Sequence, residues 1–336
     1  MKYLALDAHS NFCSFGVLSE DNMILTCINI ETGEMNLINA VQSVSGTKTL
    51  VVEESPLAHW IRRILKPYVN KLIVAEPRQN AWISKAEDKN DPNDAIRLAK
   101  LLRGGFIKEV YHTDNDDQQD FKELIGHYHD TSKQITRFKN KIKARFRQKG
   151  IHAKGSTIYH PKNRLDWLKK LKRPTTVFIL KNLYDTLDTL KNEQAQNLRE
   201  LRKLAKKYPP IKKFQKLPGV GFIIAATFFA IIDTPDRFAH KRKLWCYCNL
   251  SKSEKKSAGK ILHKGASNNG NRLLKYMGME AAKNATKKNM DNKFSKKYFQ
   301  LISQGTSPAN AQRTIARNIF TTMVTLWKTG EDYVEE

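Results

Sequence analysis

Asp7, Glu53, Glu54, Asp91 and Asp94 are the residues of this 336-residue chain whose types and order suit a shared chemistry. Carboxylates are hard oxygen ligands. A set of them gathered at one point holds Mg²⁺ and leaves coordination positions for phosphate oxygens, as two-metal phosphoryl transfer requires. Each also has a plainer reading when taken singly. A strand-end aspartate such as Asp7 is commonly a cap or turn residue, and Asp91 and Asp94 suit the first turn of a helix, where the dipole favours acids. Their i, i+3 spacing nevertheless puts both on one helix face, a repulsion of roughly a few tenths of a kcal/mol unless a cation sits between them. Strand alternation alone leaves open which of Glu53 and Glu54 would face the metal.

A second group is basic. Lys133, Arg137, Lys139, Lys141, Lys143, Arg145, Arg147 and Lys149 fall between 131 and 150 with no acid among them, interleaved with Phe138 and Phe146. A one-signed run is often only a solvated helix face, but cations beside aromatic rings also suit phosphate neutralisation with base stacking. Farther on, Pro218-Gly219-Val220-Gly221 before an apolar helix has the form of a turn presenting amides to a phosphate, or of a plain turn. Lys252, Lys255, Lys256, Lys260, His263, Lys264 and Arg272 surround Ser257, with Asn271 adjoining. A serine in a lysine-rich loop is ordinarily a solvated residue, and a nucleophile needs activation that no neighbouring histidine supplies here.

The elements that must position these groups follow from pattern. Residues 3 to 8, 12 to 18 and 23 to 30 read as three strands, a meander. A helix near 34 to 44, a strand 49 to 53, a helix near 57 to 68, a strand 72 to 75 and a helix from Asp91 to Leu102 follow. The order β-β-β-α-β-α-β-α predicts an α/β unit with a mixed sheet, helices on its faces, and the acids at strand ends and the last helix start. Helical periodicity over 117 to 149 and 176 to 208 predicts a helical or coiled-coil arm, broken at Tyr208-Pro209-Pro210. A mainly α C-terminal part follows, crossed by a polar loop at about 250 to 270. Three domains are expected: 1–115, 116–210 and 211–336.

Composition narrows the partners. Lys and Arg number 59 against 33 Asp and Glu, a formal net charge of +26, which calls for a polyanion. The longest apolar run, Val220 to Ile232, is too short to span a bilayer, and the N-terminus has no signal-peptide pattern. A cytoplasmic protein with nucleic-acid partners and no membrane association is expected. The four cysteines (Cys13, Cys27, Cys246, Cys248) have neither disulfide-framework nor zinc-site spacing.

The strand meander, second acidic strand end and acidic final helix resemble RNase H-like nucleases. More specifically, Asp7, Glu54 followed six residues later by Trp60, and Lys89-Asn90-Asp91-Pro92-Asn93-Asp94-Ala95 leading into Leu98-Ala99 resemble the signature of DEDD-type insertion-sequence transposases, relatives of Piv-like invertases. The C-terminal half resembles the same family through Leu217-Pro218-Gly219-Val220-Gly221, Asn249-Leu250, Lys256-Ser257-Ala258-Gly259-Lys260 and Asn269-Gly270-Asn271-Arg272-Leu273-Leu274-Lys275. It departs at Asn249-Leu250-Ser251-Lys252, where the family has Gly-Leu-x-Pro, and at Ala258, where it has glycine.

The resemblance implies a RuvC-like catalytic domain with Asp7, Glu54, Asp91 and Asp94 on Mg²⁺, for which Mn²⁺ can substitute. It selects Glu54 over Glu53 and implies Ser257 as nucleophile on DNA, forming a transient phosphoserine link. It also implies a structured noncoding guide RNA, donor and target DNA duplexes, action at the nucleoid, and a dimer or tetramer. From the residues alone, a junction nuclease using water on the same carboxylates, or a non-catalytic nucleic-acid scaffold, stands beside the recombinase.

Overall fold

The computed structural model describes residues 1–77, 91–257, 260–266, 270–287 and 291–335, with backbone only at 91–92, 252–257 and 260–266. The chain divides into two units, Met1–Asp114 and Asn115–Glu336.

In the first unit the predicted strands form β1 (Lys2–Ala8), β2 (Phe12–Leu18), β3 (Ile24–Glu31), β4 (Lys48–Glu53) and β5 (Lys71–Ala75), with helices α1 (Glu34–Gln42), α2 (Ala58–Leu65) and α3 (Asp91–Arg103). They make one sheet in the order β3-β2-β1-β4-β5. The meander pairs are antiparallel, and β1–β4 and β4–β5 are parallel. The mixed sheet with helical cover is therefore as the pattern predicts. Both faces are buried along β1, β2, β4 and β5, while the edge strand β3 is largely exposed, which is why the central strands carry apolar residues at successive positions. Leu4, Leu6, Phe15, Val17, Leu50 and Val52 face α1 and α2, against Leu37, Val41 and Ile61. Ala5, Leu18, Val51 and Ile73 face α3, against Ile96, Ala99 and Leu102. Helix α3 comes so near β2 that a Cβ on Gly16 would lie 2.9 Å from Ile96 Cδ1 and 3.2 Å from the backbone of Ala95 and Ile96, so a larger residue there would push α3 outward by a few tenths of an ångström.

The second unit begins with α4 (Asp116–Arg147), capped by Asn115, whose side chain accepts from the Gln118 N–H. It continues with α5 (Pro161–Lys169), α6 (Pro174–Leu204), α7 (Pro209–Phe214), α8 (Phe222–Ile232) and α9 (Lys241–Tyr247). A ribbon of β6 (Lys252–Ser257) and β7 (Lys260–Ala266) follows, then α10 (Arg272–Ala285), α11 (Lys293–Ser303) and α12 (Pro308–Thr329). Helices α4 and α6 run together as the predicted arm, whose outer part has its own core of Ile135, Ile142, Phe146, Leu180, Tyr184 and Leu187.

At its base the arm is not a separate body. Phe121, Ile125 and Leu201 enter the same core as Phe214, Phe228, Ala281 and Phe320, so packing makes no division at Pro210. The polar loop expected near 250 to 270 is the antiparallel ribbon instead. Its first strand, Lys-Ser-Glu-Lys-Lys-Ser, has no apolar alternation to announce a strand.

Helix α8 is apolar on every side and is the centre of that core, with every residue from Ile224 to Ile232 buried. Its one hydroxyl, Thr227, meets His129 of α4 at 2.8 Å. Burial, with the nearby Lys133 adding to it, pulls His129 from 6.5 down to about 4. The imidazole is thus neutral in the native state and charges more readily in the unfolded one. Its contribution is fully present above pH 6.5 and is lost as pH falls from 6.5 towards 4. By pH 5 that loss is about 2 kcal/mol. Urea unfolding at pH 7.5 and pH 5 checks this: His129→Gln should lose less stability than the native chain over the interval. Parallel losses would show that His129 is not the titrating group.

Candidate active site

Asp7 lies one residue from the end of β1 and pairs with Ser14 of β2. Leu6 of β1 stands beside Val52 of the parallel strand β4, so the register carries Asp7 to the level of Glu53. Side chains alternate along a strand. Ala5 and Val51 face α3, and Asp7 and Glu53, each two residues on, share that face. Asp94 is in the first turn of α3, next to the helix's packing residues Ala95 and Ile96.

Glu53 feels the other two carboxylates. Burial pushes the Glu53 carboxyl up, and the negative charges of Asp7 and then Asp94 push it further, with His9 opposing. Asp7 accepts from His9 Nε2 at 3.2 Å, and Asp94 accepts from Arg97 Nη1 at 3.1 Å. Mutual repulsion of this kind is what a bound cation relieves.

Glu54 is turned elsewhere. Its backbone N–H continues the ladder to Ala75 O at 3.0 Å, and its carboxylate lies 2.5 Å from His112 Nε2. The His112 ring stacks on His59 of α2, with centroids 6.4 Å apart. Glu54 thus sits towards the α2 side of the sheet while Glu53 shares the α3 side with Asp7. The resemblance selected Glu54; the register sets Glu53 opposite Asp7. His112 carried no signal in the sequence, being a lone histidine in a connecting segment.

Among the described residues no group of three or more His, Cys, Asp or Glu is gathered tightly enough to hold a metal ion. The side chain of Asp91 lies outside the described residues. The groups on this face are carboxylates, the donor type that suits Mg²⁺ or Mn²⁺ rather than a soft metal, and burial first, then the charges of Asp7 and Asp94, disfavour the ionised form of Glu53. The surrounding stretch is acidic within a basic chain, for residues 3 to 47 contain no Lys or Arg.

In the second unit Ser257 is the last residue of β6 and pairs with Lys260, the first of β7. It therefore stands at the closed end of the ribbon. The side chains of Lys256, Ser257 and Lys260 lie outside the described residues. Asn271 has a local task as the cap of α10, its Oδ1 accepting from Leu274 N at 3.0 Å, while Arg272 beside it is exposed. Gly219 also has a packing reason: its φ is +81, and a Cβ there would meet Ala281 O at 2.2 Å. Gly221 opens α8 with nothing within 4 Å of where its Cβ would be.

The arm's basic run divides by face. Lys133, Arg137 and Lys141, with Thr136, Asn140 and Ala144, line one open stripe of about 550 Å³ along α4. Lys143 and Arg147 line a second hollow with His152 and Lys154. Lys139 and Lys143 lie over the Tyr159 ring at 5.7 and 5.6 Å, and Lys141 lies over Phe138 at 4.7 Å. Arg145 donates to Gln148. Phe146, expected as a stacking surface, is instead fully buried, edge-on to Trp167. Its place on the helix repeat with Ile135 and Ile142 makes it core.

Residues 29–150 match a family model described as Transposase, of the DEDD type of the IS110 group. Residues 211–299 match a second, described as Transposase IS116/IS110/IS902 family. The chain is also similar to the transposase for insertion sequence element IS1111A from Coxiella burnetii (strain RSA 493 / Nine Mile phase I). The two are 23% identical over 246 residues, which are 72% of this chain and 66% of that relative's length.

The two glutamates make opposite predictions in chelator. Glu53→Gln removes a charge repelled by Asp7 and Asp94 and should raise the melting temperature by roughly 2–4 °C. Glu54→Gln breaks the His112 contact and should lower it. Differential scanning fluorimetry in EDTA reads both, and the reverse pair of shifts would exchange the roles given to Glu53 and Glu54.

Proposed function

We propose that this chain is an IS110-family transposase that breaks and rejoins DNA strands using a carboxylate-held metal and a serine nucleophile. The supporting observation is the conjunction, in one chain, of carboxylates brought to one sheet face at the ends of β1 and β4 and in the first turn of α3 with a lysine-rich ribbon that carries Ser257 at its closed end.

Asp7, Asp91 and Asp94 hold the metal with one of the adjacent pair Glu53 and Glu54. Register favours Glu53, and the spacing to Trp60 favours Glu54. Bound Mg²⁺ or Mn²⁺ supplies Lewis-acid stabilisation of the charge that develops on phosphate. Ser257 Oγ attacks a backbone phosphorus, a P–O bond to deoxyribose breaks, and the proton lost by the serine ends on the departing sugar oxygen. The link is a phosphoserine diester. Attack by a hydroxyl of another strand runs the same step backwards, freeing the serine and joining the new strands, so the energy of the broken bond is conserved.

The polyanions are held by positive charge. The Lys133–Arg137–Lys141 stripe and the basic residues about the ribbon, Lys256, Lys260 and Arg272, contact sugar-phosphate backbone, which positions nucleic acid without reading sequence. Sequence is then read by base pairing to a structured noncoding guide RNA. A charge of +26 suits an RNA and a DNA partner together. Because two duplexes must be handled, the active assembly is a homo-oligomer.

One set of assays on full-length protein, with the nucleic acid that copurifies with it and duplexes carrying its element ends, tests this reading. Asp7→Asn or Asp94→Asn should cut strand cleavage by at least about 100-fold. Ser257→Ala should abolish strand exchange. Arg137→Glu with Lys141→Glu should weaken binding and lower the salt dependence of log K by roughly two. Undiminished cleavage by Ser257→Ala would instead indicate water as nucleophile, and binding without cleavage under any metal would indicate a scaffold.

A further inference from the structure

The serine ribbon joins the helical body through two adjoining feet, and both are held with more constraint than a surface loop requires. At the first, α9 ends and Asn249 adopts the left-handed conformation, with φ +54. Its backbone N–H donates to Cys246 O at 3.0 Å, and that of Leu250 donates to Trp245 O at 2.9 Å. Asn249 is 2% exposed, and its Oδ1 has no hydrogen-bond partner among the described residues. A buried unpaired acceptor opposes folding, and such groups are few in native proteins.

At the second foot Gly270 is pressed against the first. A Cβ there would lie 2.6 Å from both Asn249 N and Cys246 O, and the next residue, Asn271, donates its N–H to Tyr247 O at 2.7 Å. Alanine would have to drive two backbone segments apart.

From α12 a third restraint reaches the same point. Arg317 gives Nε and Nη2 to the Leu250 carbonyl at 2.8 and 2.5 Å. Its guanidinium lies 5.5 Å from the centre of the Trp245 ring, and Trp245 Nε1 donates to Thr321 Oγ1 at 3.0 Å. A half-buried arginine fork spent on one main-chain oxygen is a strong and directional tie.

These constraints converge where the chain enters and leaves β6–β7. A two-stranded ribbon is weakly stable by itself and takes its direction from what anchors it. Strain kept at one locus when a looser loop would fold more easily marks a position that must be held. We propose that Asn249, Gly270 and Arg317 are positioning residues that fix the direction in which the ribbon presents Ser257. The proposal rests on the reading of Ser257 as nucleophile, since a rigid mount matters for a reaction sensitive to displacements of about an ångström.

The test uses full-length Gly270→Ala, Arg317→Lys and Ser257→Ala proteins on a nicked suicide duplex. It measures the rate of SDS-resistant protein–DNA adduct formation, duplex affinity and melting temperature. Lysine keeps the charge but not the fork. Arg317→Lys and Gly270→Ala should slow adduct formation at least about tenfold, with affinity within about threefold and a small change in melting temperature. If Gly270→Ala does not fold, Arg317→Lys decides alone. Adduct formation that is unchanged, or that falls only in step with affinity and melting temperature, overturns the mount. An adduct that survives Ser257→Ala overturns the nucleophile reading and the mount with it, whereas loss in Ser257→Ala beside an unchanged Arg317→Lys rate overturns the mount alone.

Discussion

Asp7, Glu53 and Asp94 are kept within one another's field by backbone geometry that side-chain repulsion cannot undo. Parallel pairing of β1 with β4 sets Asp7 level with Glu53, and the close seat of α3 on Gly16 holds Asp94 on the same face. Ladder hydrogen bonds and two differently shaped apolar faces fix that register, since slipping by one residue would exchange the side chains packed on α1 and α2 with those packed on α3. The hydrophobic core of the first unit thus supplies the energy that keeps like charges together, and a divalent cation is the species that would turn the repulsion into binding.

The charge of the chain is uneven along its length. No Lys or Arg occurs between residues 3 and 47, although the whole chain is at +26. Positive charge is concentrated on the arm and about the serine ribbon. A carboxylate set alone repels phosphate, so the phosphoryl transfer proposed above would need its cations in two forms: metal where the bond changes, and side chains where the backbone is merely held.

The sheet and its helices were legible because a strand-and-helix alternation with both faces covered leaves long apolar runs and clear breaks. The arm was legible because Leu and Ile recur at helical spacing over some thirty residues in each of α4 and α6. The division at Pro210 was not, since Phe121 and Ile125 give no sign in sequence that their partners are Phe214 and Phe228. The polar ribbon was hidden for want of any apolar alternation, and Phe146 read as an exposed ring because its basic neighbours masked its helical phase. At the site, Asp7 and Asp94 were marked by their element ends. The choice between Glu53 and Glu54 turned on register, which depends on pairing with a strand more than forty residues away, and the ties of His112 and Arg317 are tertiary contacts without any local pattern.

The central claim is that the chain joins covalently to DNA through Ser257 while a metal held by carboxylates drives the exchange. Mass mapping of the protein after trapping on a nicked duplex in Mg²⁺ tests it directly. The account predicts a nucleotide remnant on the peptide containing Ser257, absent when Asp94 is replaced by Asn. A remnant on another residue, or cleaved DNA with no modified peptide, would contradict it.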